Sequence, residues 1–245
     1  MRIRRSAMKL LVGLAALAGV LLSASSGMAD PKSGNNRRSL VINPKFDASA
    51  ERVELFSGMD DGRLETKIVA NDSKGGFVFI TNNSDQTLTV DLPKSFVAVQ
   101  VLKQLGGGMG GGGFFSIPAE RTLKVPFVSA CLNHGKAEPN STAQYRMVKV
   151  SDYTSDPVLA ELITMVGTGR VDQQSAQAAI WTRTDNMSWE QLSTKTVRGI
   201  HGFRRYFQPG QIVQGQQLVA TAETRVREQG EKAPQAEEPA GGRVR

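Results

Sequence analysis

The sequence holds a single cysteine, Cys131, and only two histidines, His134 and His201. One thiol cannot close an internal disulfide, so a fold in an oxidising compartment must rest on packing. One Cys and two His also fall short of a structural zinc set, and neither a metal nor a cofactor is expected. Paired carboxylates are scarce. Asp60-Asp61 stands before Gly62, where Asp serves a turn, and no glycosidase or protease pair can be assembled from neighbouring residues. Long apolar runs are missing too, apart from Leu10 to Leu22, which is well short of the ~20 residues a membrane-spanning helix needs.

That run has a different meaning in context. Arg2, Arg4, Arg5 and Lys9 precede it without an acid, and the small residues Ser25-Ser26-Gly27-Met28-Ala29 follow it. A basic segment, a short apolar core and a small-residue cleavage site describe a secretory leader, residues 1–29, cut after Ala29. Arg4-Arg5 resembles a twin-arginine leader, which leaves the Sec and twin-arginine routes both open. Export to the periplasm, cell envelope or exterior is therefore expected.

Export changes the charge argument. The whole chain carries 30 basic and 23 acidic residues, a net +7. Without the leader's four bases, 26 stand against 23, a net +3. This is too mild to imply nucleic acid, which an exported protein seldom meets.

Past a polar, flexible segment (30–39), residues 40–150 read as short strands. Arg52 to Phe56 alternates polar and apolar, and Leu64 to Val69, Phe77 to Ile80, Thr87 to Val90, Phe96 to Leu102, Arg121 to Val128 and Tyr145 to Val150 follow between turn signals. The expected fold is α+β, with a β-sandwich, immunoglobulin-like in architecture, ahead of a small helical region. The glycine run between Leu105 and Phe114 lacks the Lys-Ser/Thr of a phosphate loop and reads as a flexible hairpin loop. From 151 to 229 the signals are helical. Ser155 or Asp156 can cap a helix with Pro157 at its first position, Asp172 caps a second, and Ser188 with Gln191 makes a capping box. A longer helix is expected from Pro209 to about Arg227. Residues 230–245, charged and poor in large apolar side chains, read as a disordered tail.

Three constellations could carry function. Cys131 and His134 stand three residues apart near the end of a predicted strand, where imidazole could take a thiol proton in a thiol enzyme. Ala176-Gln177-Ala178-Ala179-Ile180-Trp181 is a helical segment with a glutamine and a tryptophan one turn apart. Gln191 to Ala222 contains Lys195, Arg198, Arg204 and Arg205 and no acid, with Phe203, Tyr206 and Phe207 interleaved. That composition suits an anionic surface, including peripheral contact with a membrane, or simply a connector with solvated arginines.

Cys131 and the Gln177-x-x-Ile180-Trp181 segment together resemble the thioester domains of secreted bacterial surface adhesins. The resemblance covers about a dozen residues in two short motifs. It implies that Cys131 is the thiol and Gln177 the acyl donor of an internal thioester able to capture an amine, with Ile180 and Trp181 keeping water out. More broadly, Phe77 to Gln191 looks similar to exported bacterial proteins that carry no assigned activity. The favoured expectation is a non-enzymatic envelope or extracellular protein, an interaction or structural module for a ligand or protein partner. A covalent thioester adhesion protein and a Cys131–His134 enzyme are the alternatives.

Overall fold

The computed structural model describes residues 39–101, 106–110 and 113–232. From Arg37 onward the chain makes one compact unit. The expected leader, most of the segment after it and the tail from 233 lie outside the described residues.

The fold is α+β. The larger sheet is built from β1 (Leu40–Val41), β3 (Leu64–Asp72), β4 (Gly75–Asn82), β6 (Ser95–Gln100), β7 (Gly106–Gly110), β9 (Thr122–Cys131) and β10 (Tyr145–Val148). Its order is β10-β6-β7-β9-β4-β3, with β1 parallel to the start of β9 and the other pairings antiparallel. A smaller sheet joins β2 (Glu51–Glu54), β5 (Leu88–Leu92) and β8 (Gly113–Ile117), with β2 parallel to β5. Alternation along the strands decides what is buried: in β4, Val78 and Ile80 point inward while Phe77 and Phe79 are half-exposed. Val53, Leu88, Val90 and Ile117 of the smaller sheet share one core with Leu64, Ile68, Val78, Ile80, Phe96 and Leu123 of the larger.

Asn82 secures the turn after β4. Its buried side-chain amide donates to the carbonyls of Gln86 and Ile117, and its Oδ1 accepts from the N–H and hydroxyl of Ser84.

Several segments differ from expectation. Leu55 and Phe56 do not extend a strand but open helix α1 (Leu55–Asp60), because the Glu54 carboxylate accepts the Ser57 N–H and turns the chain. Both side chains are buried by that turn. The glycine run is not a hairpin loop in its described part: β7 is a strand paired with both β6 and β9. Helix α3 lies against it, and a strand with glycine at four of its five positions lets a helix come close to the sheet. Strand β8 was not legible as a strand, and β9 runs on to Cys131 rather than ending near Val128.

The other face of the larger sheet carries the helices α2 (Val150–Tyr153), α3 (Pro157–Gly167), α4 (Gln173–Thr184), α5 (Trp189–Thr194) and α6 (Pro209–Lys232). Asp156 caps α3 by accepting from the N–H groups of Val158 and Leu159, and the Ser188–Gln191 capping box opens α5. Val97, Ala130 and Leu132 from the sheet share a second core with Leu162, Ile163, Ile180, Leu192 and Phe207. The two halves expected from the sequence thus meet in one core. Helix α6 continues to Lys232, past the expected boundary at 229. Between α5 and α6 lies a hairpin, β11 (Thr196–Gly199) and β12 (Gly202–Arg205), where a connector was expected.

Candidate functional site

Helix α4 is buried on every side from Ser175 to Trp181. Ala176, Ala178 and Ala179 make this possible, because small side chains let sheet and helices approach a single helix from several directions. A polar side chain in such a helix needs partners. Gln177 is only 5% exposed, and its carboxamide spans the backbone of Cys131. Oε1 accepts from the Cys131 N–H at 2.7 Å, and Nε2 donates to the Cys131 carbonyl at 2.7 Å.

The pairing has a structural cause. Strand β4 covers its edge of β9 only as far as Val128. Beyond it, Gln173 and Gln177 take over: Gln173 Nε2 donates to the carbonyls of Ser129 and Lys74, at 2.6 and 2.7 Å. Residues i and i+4 of a helix are about 6 Å apart along its axis, and residues i and i+2 of a strand are about 6.6 Å apart. Two glutamines one helical turn apart therefore match Ser129 and Cys131, which face the same edge of β9.

The Gln177 carbonyl carbon, bonded to both atoms so held, sits beside the residue that carries the thiol. Cys131 is half-buried, and its Sγ–H donates to the Asn133 carbonyl at 3.1 Å. Burial pushes the thiol pKa up, and the carboxylates of Glu138 and Asp185 push it the same way, against a hydrogen bond from the Asn133 backbone to sulfur that favours the thiolate. The thiol is protonated at neutral pH.

Around this pair lies an aromatic wall. Trp181, one turn beyond Gln177 and 5% exposed, meets the His134 ring edge-on with centroids 4.7 Å apart. It also meets Tyr206 at 5.5 Å and Phe207 at 5.8 Å. Burial raises the phenol pKa of both Tyr153 and Tyr206. Ile180 is fully buried beneath.

The structure brings Cys131, Gln177, Ile180 and Trp181 together, and it does not join Cys131 to His134. The His134 Nε2 lies 2.8 Å from Lys195 Nζ, while the backbone N–H of His134 donates to Asp185 Oδ1 at 3.0 Å. Burial, then the Lys195 ammonium, lowers the His134 pKa, with Asp185 pulling the other way. A neutral imidazole accepting from an ammonium is not poised to take the thiol proton. Lys195 Nζ also stands 5.7 Å from the Trp181 ring and 5.4 Å from that of Tyr206, so it belongs to this wall rather than to an anionic-surface patch. Arg198, Arg204 and Arg205 are exposed on the hairpin.

Three participants were missed by sequence reasoning, Gln173, Asn133 and Asp185, and Tyr206 was placed with the basic stretch instead of this site. Gln173 was legible in principle as the residue one turn before Gln177, but the others meet the site only through the tertiary fold. Among the described residues no cluster of His, Cys, Asp and Glu could hold a metal, and no helix is long and apolar enough to cross a membrane. No family model matches the chain, and neither a curated protein nor a solved structure matches it.

Proposed function

We propose that the chain is an exported protein of the envelope or exterior in which Cys131 and Gln177 condense into an internal thioester that captures an amine. The observation that carries this reading is the two-point hold of the Gln177 carboxamide on the backbone of Cys131. The Cys131 N–H on Oε1 polarises the carbonyl and is aimed where negative charge grows when sulfur adds to carbon. The bond from Cys131 Sγ to Gln177 Cδ forms, the Cδ–Nε2 bond breaks, and the thiol proton leaves with Nε2 as ammonia. A primary amine then adds to Cδ, forms an amide, and returns its proton to the departing sulfur. The wall of Trp181, Tyr206 and Phe207 keeps water from the acyl carbon.

With this goes the finer reading of the fold. The two sheets sharing one core act as a β-sandwich, a rigid interaction module that presents the site, with the helices closing it from one side.

A second reading is favoured by Gln173. Its amide meets the Ser129 carbonyl as that of Gln177 meets the Cys131 carbonyl, yet no thiol stands at Ser129. Both glutamines can be edge caps alone, in a module that binds its partner non-covalently.

Alkylation separates the two. In a thioester protein Cys131 resists iodoacetamide in the native state and becomes reactive after methylamine. If methylamine leaves thiol reactivity unchanged, Gln177 is an edge cap.

A further inference from the structure

Strands β11 and β12 pair only with each other, in the register Thr196↔Arg205, Val197↔Arg204, Arg198↔Phe203 and Gly199↔Gly202. Cross-strand partners share a face, so Arg198, Phe203 and Arg205 stand together on one side. Gly202, at φ +108°, lets the chain reverse at Ile200-His201. Ile200 is 99% exposed at the tip and Phe203 77% exposed beside it. Among the described residues these two bulky apolar side chains are left almost uncovered. The three arginines of the hairpin are exposed around them, and no acid occurs from Gln191 to Ala222.

An apolar tip ringed by arginines is matched by a surface that is anionic outside and apolar just beneath. We propose that the β11–β12 hairpin docks the protein on an anionic lipid bilayer. Ile200 and Phe203 enter the boundary between headgroups and acyl chains, and Arg198, Arg204 and Arg205 meet the lipid phosphates. A polysaccharide would meet the arginines but offer no apolar phase to the two tip residues, and this decides for lipid. The hairpin's base is closed by the Tyr206 N–H donating to the Lys195 carbonyl at 2.9 Å. The side chains of these same two residues cover Trp181, so a docked tip brings the Cys131 site close to the lipid surface. Docking does not depend on thioester chemistry.

The test is co-sedimentation of the chain from Asp30 onward with vesicles of phosphatidylcholine alone or mixed with phosphatidylglycerol. Wild type is compared with Arg198→Gln/Arg204→Gln/Arg205→Gln and with Ile200→Ser/Phe203→Ser. The expected leader is left off all three proteins, because its apolar run and four bases would bind anionic vesicles by themselves. All the replaced side chains are exposed, and each variant is required to melt with wild type. The expected result is preference for the anionic vesicles, weakened by salt. It should fall about 100-fold in the arginine variant, at roughly fivefold per charge, and more than about 10-fold in the Ser variant. Equal partition of wild type onto both vesicles would overturn the proposal. So would variants that bind like wild type, or retention by an acidic polysaccharide or protein without vesicle binding.

Discussion

Gln177 and Cys131 are joined twice, and both bonds run to the backbone of Cys131 rather than to its thiol. The carboxamide does for the end of β9 what a neighbouring strand would do, and in doing so it is held against the residue that carries the thiol. The backbone clasp and the proposed chemistry would therefore share one side chain, and mutations can separate them.

Gln177→Ala leaves the Cys131 N–H and carbonyl without partners in a half-buried place, at a cost of up to about 1–3 kcal/mol for each group. Cys131→Ala keeps both backbone bonds and loses only a half-buried sulfur, so its cost should be well under half of that. Both should abolish amine capture. Urea unfolding of the two variants reads the difference, and equal destabilisation would show that the backbone clasp does not matter.

Gln173→Ala serves as the control. It removes the bonds to Ser129 and Lys74 and should cost about 1–3 kcal/mol. Because it leaves the Cys131 pair in place, native thiol protection and its release by methylamine should match wild type. Loss of that behaviour in a folded Gln173→Ala protein would mean that the register of α4 on β9, not Gln177 alone, sets the chemistry.

His134 should titrate below the ordinary value of about 6.5, since burial and the Lys195 ammonium disfavour its charged form. A lowered folded pKa means that the unfolded chain takes the proton first as pH falls. The stabilising contribution is complete above the unfolded value and is lost as pH drops through the window down to the folded one. Lys195→Met should move the NMR titration of His134 upward and narrow that window, and Asp185→Asn should move it downward. No movement in Lys195→Met would place the shift on burial alone.

Trp181 Nε1 is buried without a hydrogen-bond partner among the described residues, so Trp181→Phe gives up contact area but no bond. Trp181→Ala opens the wall and should cost about 3–5 kcal/mol. In a thioester protein the methylamine-reactive fraction should decay fastest in Trp181→Ala, with Trp181→Phe between it and wild type. Equal decay in all three would take water exclusion away from this ring.

The alternation of β5, the short apolar run of β4 and the caps Asp156 and Ser188 were legible because such signals are local. Leu55-Phe56 was misread because its pattern fits a strand, while the Glu54 cap that makes it helical needs a carboxylate placed by the turn. The glycine run gives no apolar period at all, and β7 exists only because β6 and β9 lie on either side. At the site, Cys131 and Gln177 could be named from two short motifs, yet their contact depends on the pairing of β9 with β4 stopping at Val128 and on α4 lying along the edge left open. His134 stood nearer to Cys131 in sequence than any other candidate, and the loop that follows Cys131 turned it to Lys195 instead.

The central claim is tested most directly by the intact mass of the protein purified without added amines, measured before and after methylamine. The account predicts a mass one ammonia below that of the sequence, rising by one methylamine on treatment and showing neither change in Cys131→Ala or Gln177→Ala. A full sequence mass that methylamine leaves unmoved would contradict it and leave Gln177 as the cap of a strand.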